Sequence, residues 1–381
     1  MILLNKPKPN ITLLNISDFK TSGICLSLKK GFNEIFRKSN NTFNKTITPV
    51  KVKSSYREML SVIICTTREP QYTAAVIDSL DITNTNYETE IIVVNNTNRE
   101  FNLTDIYKSI KIINEPILGL SKARNRGAAE ADGEYLFYMD DDALANPNLL
   151  NNMFAAFKKH SDFVVIGGQI FLNIPTPTPN VFLNGRESLW SAYIVPYKNF
   201  KRVKEQYELP YGACFGIRHS FLDKIGGFPE SYGRCGDDYA GGEETAVCLS
   251  AIKNGLKIGI EPSVSVRHMV EPTRFSKEHV FKTITASIVT TYRLFLNGYL
   301  KSGWTVGYIN ERINILKTEI SRLGGLADSA VLTEAKSKTY NAYDKTEFKT
   351  ESEKIIFYKL CELYAFEKTL AAAEEEQKCL S

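Results

Sequence analysis

The sequence predicts an α/β fold: a Rossmann-like, mainly parallel sheet flanked by helices, followed by a helical carboxyl-terminal region. Three observations predict it. Apolar, β-branched runs such as Ser61-Val62-Ile63-Ile64-Cys65 and Glu90-Ile91-Ile92-Val93-Val94 alternate with segments of helical spacing, the pattern of parallel strands joined by right-handed crossovers. Tyr135-Leu136-Phe137-Tyr138 reads as a buried strand that runs straight into Met139-Asp140-Asp141-Asp142. Three crowded carboxylates call for a cation, and the carboxyl edge of a parallel sheet is where ligands bind in open α/β folds. After Phe275, apolar residues recur at spacings of three and four.

The elements follow in order. Ile11 to Ile16 suits a strand and Cys25 to Arg37 a strand or short helix, within an amino-terminal extension over 1–58. Ser61 to Cys65 is the first strand of the α/β region, and Pro70 opens a helix with Val76, Ile77 and Leu80 on one face. Glu90 to Val94 and Lys111 to Ile113 are the next strands. Ser121 suits the cap of a helix ending near Gly133, whose Leu120, Ala123, Gly127 and Ala131 form a small-residue face for close packing on a sheet. Glu134 to Met139 is the fourth strand. Phe163 to Gly168 and Gly212 to Ile217 read as strands, with a loop-rich stretch over 171–210 and a short helix from Ser220 to Ile225. Ser231 to Gly242 holds four glycines and reads as a loop. Glu243 to Asn254 is a helix closed by Gly255, and Leu256 to Ile260 and Val264 to His268 are strands. Phe281, Ile284, Ile288, Tyr292 and Phe295 mark one later helix, and Ile356, Leu360, Leu363, Phe366 and Leu370 another. The charged stretch 333–354 is a loop or an exposed helix.

The domain expectation is therefore 1–58, an α/β domain over 59–275 with halves at 59–145 and 146–275, and a helical region over 276–381. Apolar content of 43% and charged content of 24% are those of a globular protein with ample core. Residues 1–60 hold 11 Lys/Arg against 3 Asp/Glu, a net of +8, which leaves −4 for the rest of a chain of net charge +4. Such an arm suits an anionic membrane or an acidic partner, or is simply a solvated basic face. Seven cysteines without CxxC spacing point to reduced thiols and a cytoplasmic setting. Lys6, Pro7, Lys8 and Pro9 interrupt any signal-peptide pattern, and no apolar run is long enough to span a membrane.

Seven motifs stand in a telling order. Ser61 to Arg68, Glu90 to Asn96, Gly119-Leu120-Ser121-Lys122-Ala123-Arg124-Asn125-Arg126-Gly127 and Gly133 to Asp142 resemble the donor-binding half of family 2 glycosyltransferases with the GT-A fold. Gly212 to Arg218, Ile225-Gly226-Gly227-Phe228 and Gly241-Gly242-Glu243-Glu244-Thr245 resemble the acceptor half. The resemblance covers about residues 60–270 and implies a mixed, mainly parallel sheet. It also implies a nucleotide-sugar donor (UDP-, dTDP- or GDP-linked), Mn²⁺ or Mg²⁺, and inversion at the anomeric carbon.

It further implies site residues. Asp142 is the main metal ligand, Asp140 holds the ribose or the metal, and Asp141 assists. His268 is the candidate third ligand. Strand alternation puts it on one face with Val264 and Val266, and a neutral imidazole suits Mn²⁺. Glu244, or failing it Glu243, is the base that takes the acceptor proton; at a helix start the dipole favours an ionised carboxylate. The family usually has Glu-Asp there, so Glu244 is one methylene longer. Asp237 and Asp238 are outside candidates. Arg124 is the expected positive contact to the diphosphate or base pocket, and Thr66, Glu69 and Ser121 complete the donor set. Asn95-Asn96 departs from the family's usual Asp after the second strand. An amide both donates and accepts where an ionised carboxylate only accepts, so uracil or thymine is less firmly implied and another base is open. Phe182, Trp190, Tyr193, Tyr197 and Phe200 are either a sugar-stacking surface or packing under a long loop.

The leading function is a metal-dependent inverting glycosyltransferase acting on an acceptor hydroxyl in bacterial surface glycan or glycoconjugate synthesis. A glycosyltransferase acting on a peptide or protein, a nucleotidyltransferase and a non-catalytic nucleotide-sugar-binding relic are the alternatives. Cys65-Thr66-Thr67-Arg68-Glu69 lacks the glycine- and lysine-rich phosphate loop of a nucleotidyltransferase, and the acidic triad argues against a relic. A processive synthase is disfavoured, because membrane spans and a Gln-x-x-Arg-Trp segment are missing from the sequence. The partner expectations are a donor, an acceptor of unspecified kind, no nucleic acid, peripheral contact at the inner face of the membrane, and a homodimer through the carboxyl-terminal helices.

Overall fold

The computed structural model describes residues 55–103, 106–236, 239–300, 303–324 and 347–380. The expected elements of the amino-terminal extension, and Asp237 and Asp238, lie outside these. So does most of the stretch 333–354.

Among the described residues, a nine-stranded sheet organises the α/β unit, in the order β3-β2-β1-β4-β8-β6-β9-β5, with β7 also on β9. The strands are β1 (Arg57–Thr66), β2 (Thr89–Asn95), β3 (Lys111–Asn114), β4 (Gly133–Asp140), β5 (Ala143–Ala145), β6 (Phe163–Leu172), β7 (Lys201–Arg202), β8 (Cys214–Arg218) and β9 (Lys257–His268). β1 pairs in parallel with β2 and β4, β2 with β3, and β6 with β9. β8 runs antiparallel between β4 and β6. β5 and β7 run antiparallel to β9, so the sheet is mixed as the resemblance implies, with four parallel and four antiparallel pairings of which the three longest are parallel. β1 is central, and Met59, Leu60, Val62, Ile63 and Ile64 are all buried, which explains its unbroken apolar run.

The flanking helices are α1 (Pro70–Ser79), α2 (Leu120–Glu130), α3 (Leu149–Lys159), α4 (His219–Lys224) and α5 (Glu243–Lys253). α3 is absent from the sequence expectation, although Leu149, Leu150, Met153, Phe154 and Phe157 recur at helical spacing and are all buried. Ser121 is not a cap: Gly119 occupies that position at φ +146°, and Ser121 lies inside α2. The two strands expected over 256–268 are one strand, β9, with a register shift against β6 between Gly167 and Gln169. The shift accommodates Pro262, whose carbonyl accepts from Gln169 Nε2 at 3.0 Å.

The chain divides into two compact units, the α/β unit ending at Val270 and a helical one that takes in Pro175–Leu189 and the residues from Glu271. The helical unit holds α6 (Lys277–Leu296), α7 (Val306–Gly324) and α8 (Glu351–Leu380). Ser276 caps α6, accepting from the His279 N–H at 3.2 Å. Tyr292, Ile309, Ile313, Leu316, Leu363 and Phe366 form its core, with Trp304 stacked on Phe366. Pro175–Leu189 belongs to this unit because its carbonyls face α8: Tyr358 Oη donates to Val181 O at 2.8 Å and Lys354 Nζ to Phe182 O at 2.9 Å. Among the described residues, no helix is long and apolar enough to cross a membrane.

Candidate active site

The parallel register carries chemistry to one sheet edge. Thr66 pairs with Asn95, Asn95 with Asn114, and Cys65 with Asp140. The last residue of β9, His268, pairs with Ala143, next to Asp142.

Asp142 and His268 are both buried, and His268 Nε2 lies 3.1 Å from Asp142 Oδ1. His268 Nδ1 lies 2.8 Å from the carbonyl oxygen of Trp190. A carbonyl only accepts, so Nδ1 carries a proton and Nε2 of a neutral ring turns a lone pair toward Asp142. Lone pair and carboxylate are complementary only with a proton or a cation between them. This donor set, an imidazole held by a backbone carbonyl beside a carboxylate, fits Mn²⁺ or Mg²⁺. Asp140 does not join the pair: it is drawn to Arg124, whose Nη2 lies 3.4 Å from Asp140 Oδ1. Among the described residues no group of three or more His, Cys, Asp or Glu is gathered to hold a metal.

Asp141 accepts a hydrogen bond from Thr66 Oγ1. Burial, and then the adjacent Asp142 charge, push its carboxyl up to about 7. Thr66 Oγ1 also accepts from the Arg68 backbone N–H at 3.0 Å. Arg68 carries no role in the sequence reading. Its Nη1 lies 4.0 Å from Asp142 Oδ2, and its guanidinium stacks 3.8 Å above the Tyr72 ring. The available signal was its place two residues beyond the β1 edge. Glu69 is exposed and paired with Arg99.

The amides of Asn95 and Asn96 are spent within the chain. Asn96 Nδ2 donates to Glu115 O at 2.7 Å and Ile117 O at 3.0 Å, and Asn96 Oδ1 accepts from Gly119 N at 2.9 Å. Asn95 Nδ2 donates to Arg99 O and Asn114 Oδ1, both at 3.0 Å, while Asn95 Oδ1 accepts from Thr97 Oγ1 at 2.7 Å. These bonds anchor the loops that follow β2 and β3, a task that uses the amide's double character. Ser121 Oγ donates to Tyr232 O at 2.7 Å, tying α2 to the glycine-rich loop.

Arg124 is 3% exposed, and its Nη1 lies 2.7 Å from Glu243 Oε1. Glu243 opens α5 with Glu244 beside it. One carboxylate oxygen of each, Oε2, is sealed from solvent with no hydrogen-bond partner among the described residues. Burial, and then the Glu243 charge, push the Glu244 carboxyl up to about 8. Burial thus works against the helix dipole, which favours the ionised form by about 0.3–1 kcal/mol. Cys65, at the same edge, is held as a thiol by burial, which raises it to about 12. Trp190 and Tyr193 are buried, as is Phe182 in the helical unit, so the aromatic stretch is packing at these positions.

The sheet edge thus gathers acids, an imidazole and a guanidinium in one place. Residues 61–226 match the family model described as Glycosyl transferase family 2. These residues form a domain of that family, and the chain is a glycosyltransferase. It is similar to a glucosyl-dolichyl phosphate glucuronosyltransferase of Haloferax volcanii, 23% identical over 250 residues, with 64% of this chain and 76% of that protein covered. It also resembles a cholesterol galactosyltransferase of Borreliella burgdorferi, 28% identical over 161 residues, with 39% of this chain and 45% of that protein covered. Among solved structures, S. aureus TarS 1–349 matches at 18% identity and a TM-score of 0.41, over 80% of this chain and 90% of that one. A mannosyltransferase of Pyrobaculum calidifontis in complex with GDP-Man and Mn²⁺ matches at 14% identity and a TM-score of 0.39, over 94% and 87%.

Proposed function

We propose that this glycosyltransferase is metal-dependent and inverting, moving a sugar from a nucleotide-sugar donor to an acceptor hydroxyl in glycan or glycoconjugate synthesis. The observation that carries this reading is the sharing of one guanidinium by two acids: Arg124 contacts Asp140, from the donor half, and Glu243, from the acceptor half. Acids of both halves thus surround a single site.

Asp142 and His268 would hold Mn²⁺ or Mg²⁺, which when bound stabilises the negative charge of a departing nucleoside diphosphate. The Trp190 carbonyl keeps the His268 proton on Nδ1 and so keeps Nε2 available. Glu244, ionised, accepts the acceptor's hydroxyl proton at a carboxylate oxygen while that hydroxyl oxygen attacks the anomeric carbon. Attack opposite the leaving diphosphate inverts the centre in one displacement and needs one base. A carboxyl with a proton affinity near neutrality suits that role. Glu243, held by Arg124, is the less mobile of the two acids.

The acceptors in the relatives' names, a dolichyl phosphate-linked glucose and cholesterol, favour an acceptor hydroxyl carried on a lipid. The reading is tested by thermal shift and donor hydrolysis over UDP-glucose, UDP-glucuronic acid, UDP-galactose, dTDP-rhamnose and GDP-mannose, with and without Mn²⁺. Metal-dependent stabilisation by one of them is expected. None across the panel would overturn it.

A further inference from the structure

We propose that Arg124 is a positioning residue: its buried guanidinium clamps Glu243, and with it the first turn of α5, to Asp140 at the end of β4. This assigns it a task other than donor contact, and it rests on the reading of Glu243 and Glu244 as the acidic pair at the acceptor side. The fork is divided, Nη1 to Glu243 at 2.7 Å and Nη2 to Asp140 at 3.4 Å. The side chains of Arg124 and Glu243 are each 4% exposed. Gly212 roofs the guanidinium so closely that a Cβ there would sit 2.4 Å from Nη2 and 2.9 Å from Nη1. The guanidinium also faces the rings of Tyr138 and Phe228, 5.8 and 5.6 Å from Cζ. Carboxylates, glycine backbone and rings thus occupy the surroundings of the group, and a phosphate would have to displace Glu243 from a buried pair, which is strongly unfavourable.

The same pair ties together elements far apart in sequence. α2 packs on β1 and β2, so Arg124 is anchored to the sheet. Glu243 sits at the first position of α5, and Glu244 follows it directly. A loosened Glu243 therefore lets Glu244 drift, and a displacement of about 1 Å at a reacting group can cost about 100-fold in rate. A lysine keeps the charge but presents one point instead of a fork, so it cannot reach both acids at once.

The test uses Arg124→Lys, Arg124→Met, Glu243→Gln and the double variant Arg124→Met/Glu243→Gln in the full chain. Binding is read by thermal shift with UDP, dTDP and GDP in the presence of MnCl₂. Turnover is read as hydrolysis of whichever panel nucleotide sugar the wild-type protein cleaves. Arg124→Lys is expected to keep the wild-type nucleoside diphosphate affinity and to melt between the wild type and Arg124→Met, yet to lose about 100-fold in kcat with KM for the donor unchanged. If Arg124→Lys weakens nucleoside diphosphate binding as much as it slows turnover, Arg124 touches the donor and the proposal is wrong. Arg124→Met and Glu243→Gln are each expected to melt below the wild type, and the double variant above Arg124→Met. A double variant no more stable than Arg124→Met would break the clamp argument. Should no nucleotide bind the wild type, the proposed function fails, and the melting series still decides whether Arg124 holds Glu243.

Discussion

Oδ1 of Asp142 and Nε2 of His268 stand 3.1 Å apart, although one follows β4 and the other closes β9. The pairing of Ala143 with His268 brings them together, and the Trp190 carbonyl orients the ring. If the pair holds a cation, either partner's loss removes a ligand without touching the sheet. His268→Ala and Asp142→Asn should therefore each reduce the Mn²⁺ affinity by about tenfold or more, a scale set by what even outer-shell partners contribute. A Mn²⁺ titration followed by thermal shift checks this. Wild-type titration curves from both variants would remove the pair from the metal site.

Glu244 sets the expected pH dependence. Its folded value, about 8, lies above the ordinary carboxylate range because burial and then Glu243 disfavour the ion. A base must be ionised, so transfer should climb as pH rises through about 8 and level off above it. The stability effect runs the other way. The group's contribution is complete below its unfolded value and is lost as pH rises through the folded one. Glu244→Gln cannot ionise, so above pH 8 its stability relative to the wild type should be higher than at pH 5. It should also bind donor normally and lose about 100-fold or more in transfer, the usual worth of a general base. Urea unfolding at both pH values and a pH–rate profile measure the two halves. Undiminished transfer by Glu244→Gln would put the base elsewhere.

Asn96 separates loop anchoring from base recognition. Its amide donates to the Glu115 and Ile117 carbonyls while its oxygen accepts from Gly119 N. Asn96→Asp keeps the shape but loses both donors and sets a charge against two carbonyl oxygens. The expected cost is about 2–4 kcal/mol by urea unfolding. The preference among UDP, dTDP and GDP should stay as in the wild type; a changed preference at unchanged stability would restore the base contact.

Much of this was legible in the chain itself. The apolar runs of β1, β2 and β4 are buried on both faces and read as strands from composition alone. His268 was legible by alternation, since Val264, Val266 and His268 are all buried while Ser263 and Arg267 are exposed. Arg124 was visible as a charged residue in a motif, but its partners were not: Glu243 reaches it only through the packing of α5, which no local pattern encodes. The residue type at 95 and 96 signalled a need to donate and accept, and only the fold shows that loop carbonyls meet it. The proton affinity of Glu244 follows from burial, which a position at a helix start does not reveal.

Gly127 ties the sequence pattern to the site in one further expectation. Its place on a small-residue face of α2 reads as close packing on a sheet. A Cβ there would lie 2.5 Å from Ile63 Cγ2 and 3.2 Å from Val94 Cγ2. In an exposed helix Gly→Ala gains about 1 kcal/mol from propensity. Here Ile63 lies fully buried in the central strand and has nowhere to recede, so overpacking, worth about 1–3 kcal/mol, opposes that gain. Gly127→Ala should therefore destabilise by about 1 kcal/mol net, read by urea unfolding, where an increase in stability would contradict the packing argument. Relief of the clash requires α2 to lift from β1, and Arg124 lies one turn earlier on the same helix. Turnover should thus fall further than the stability loss alone accounts for, while Mn²⁺ binding at Asp142 and His268 stays as in the wild type.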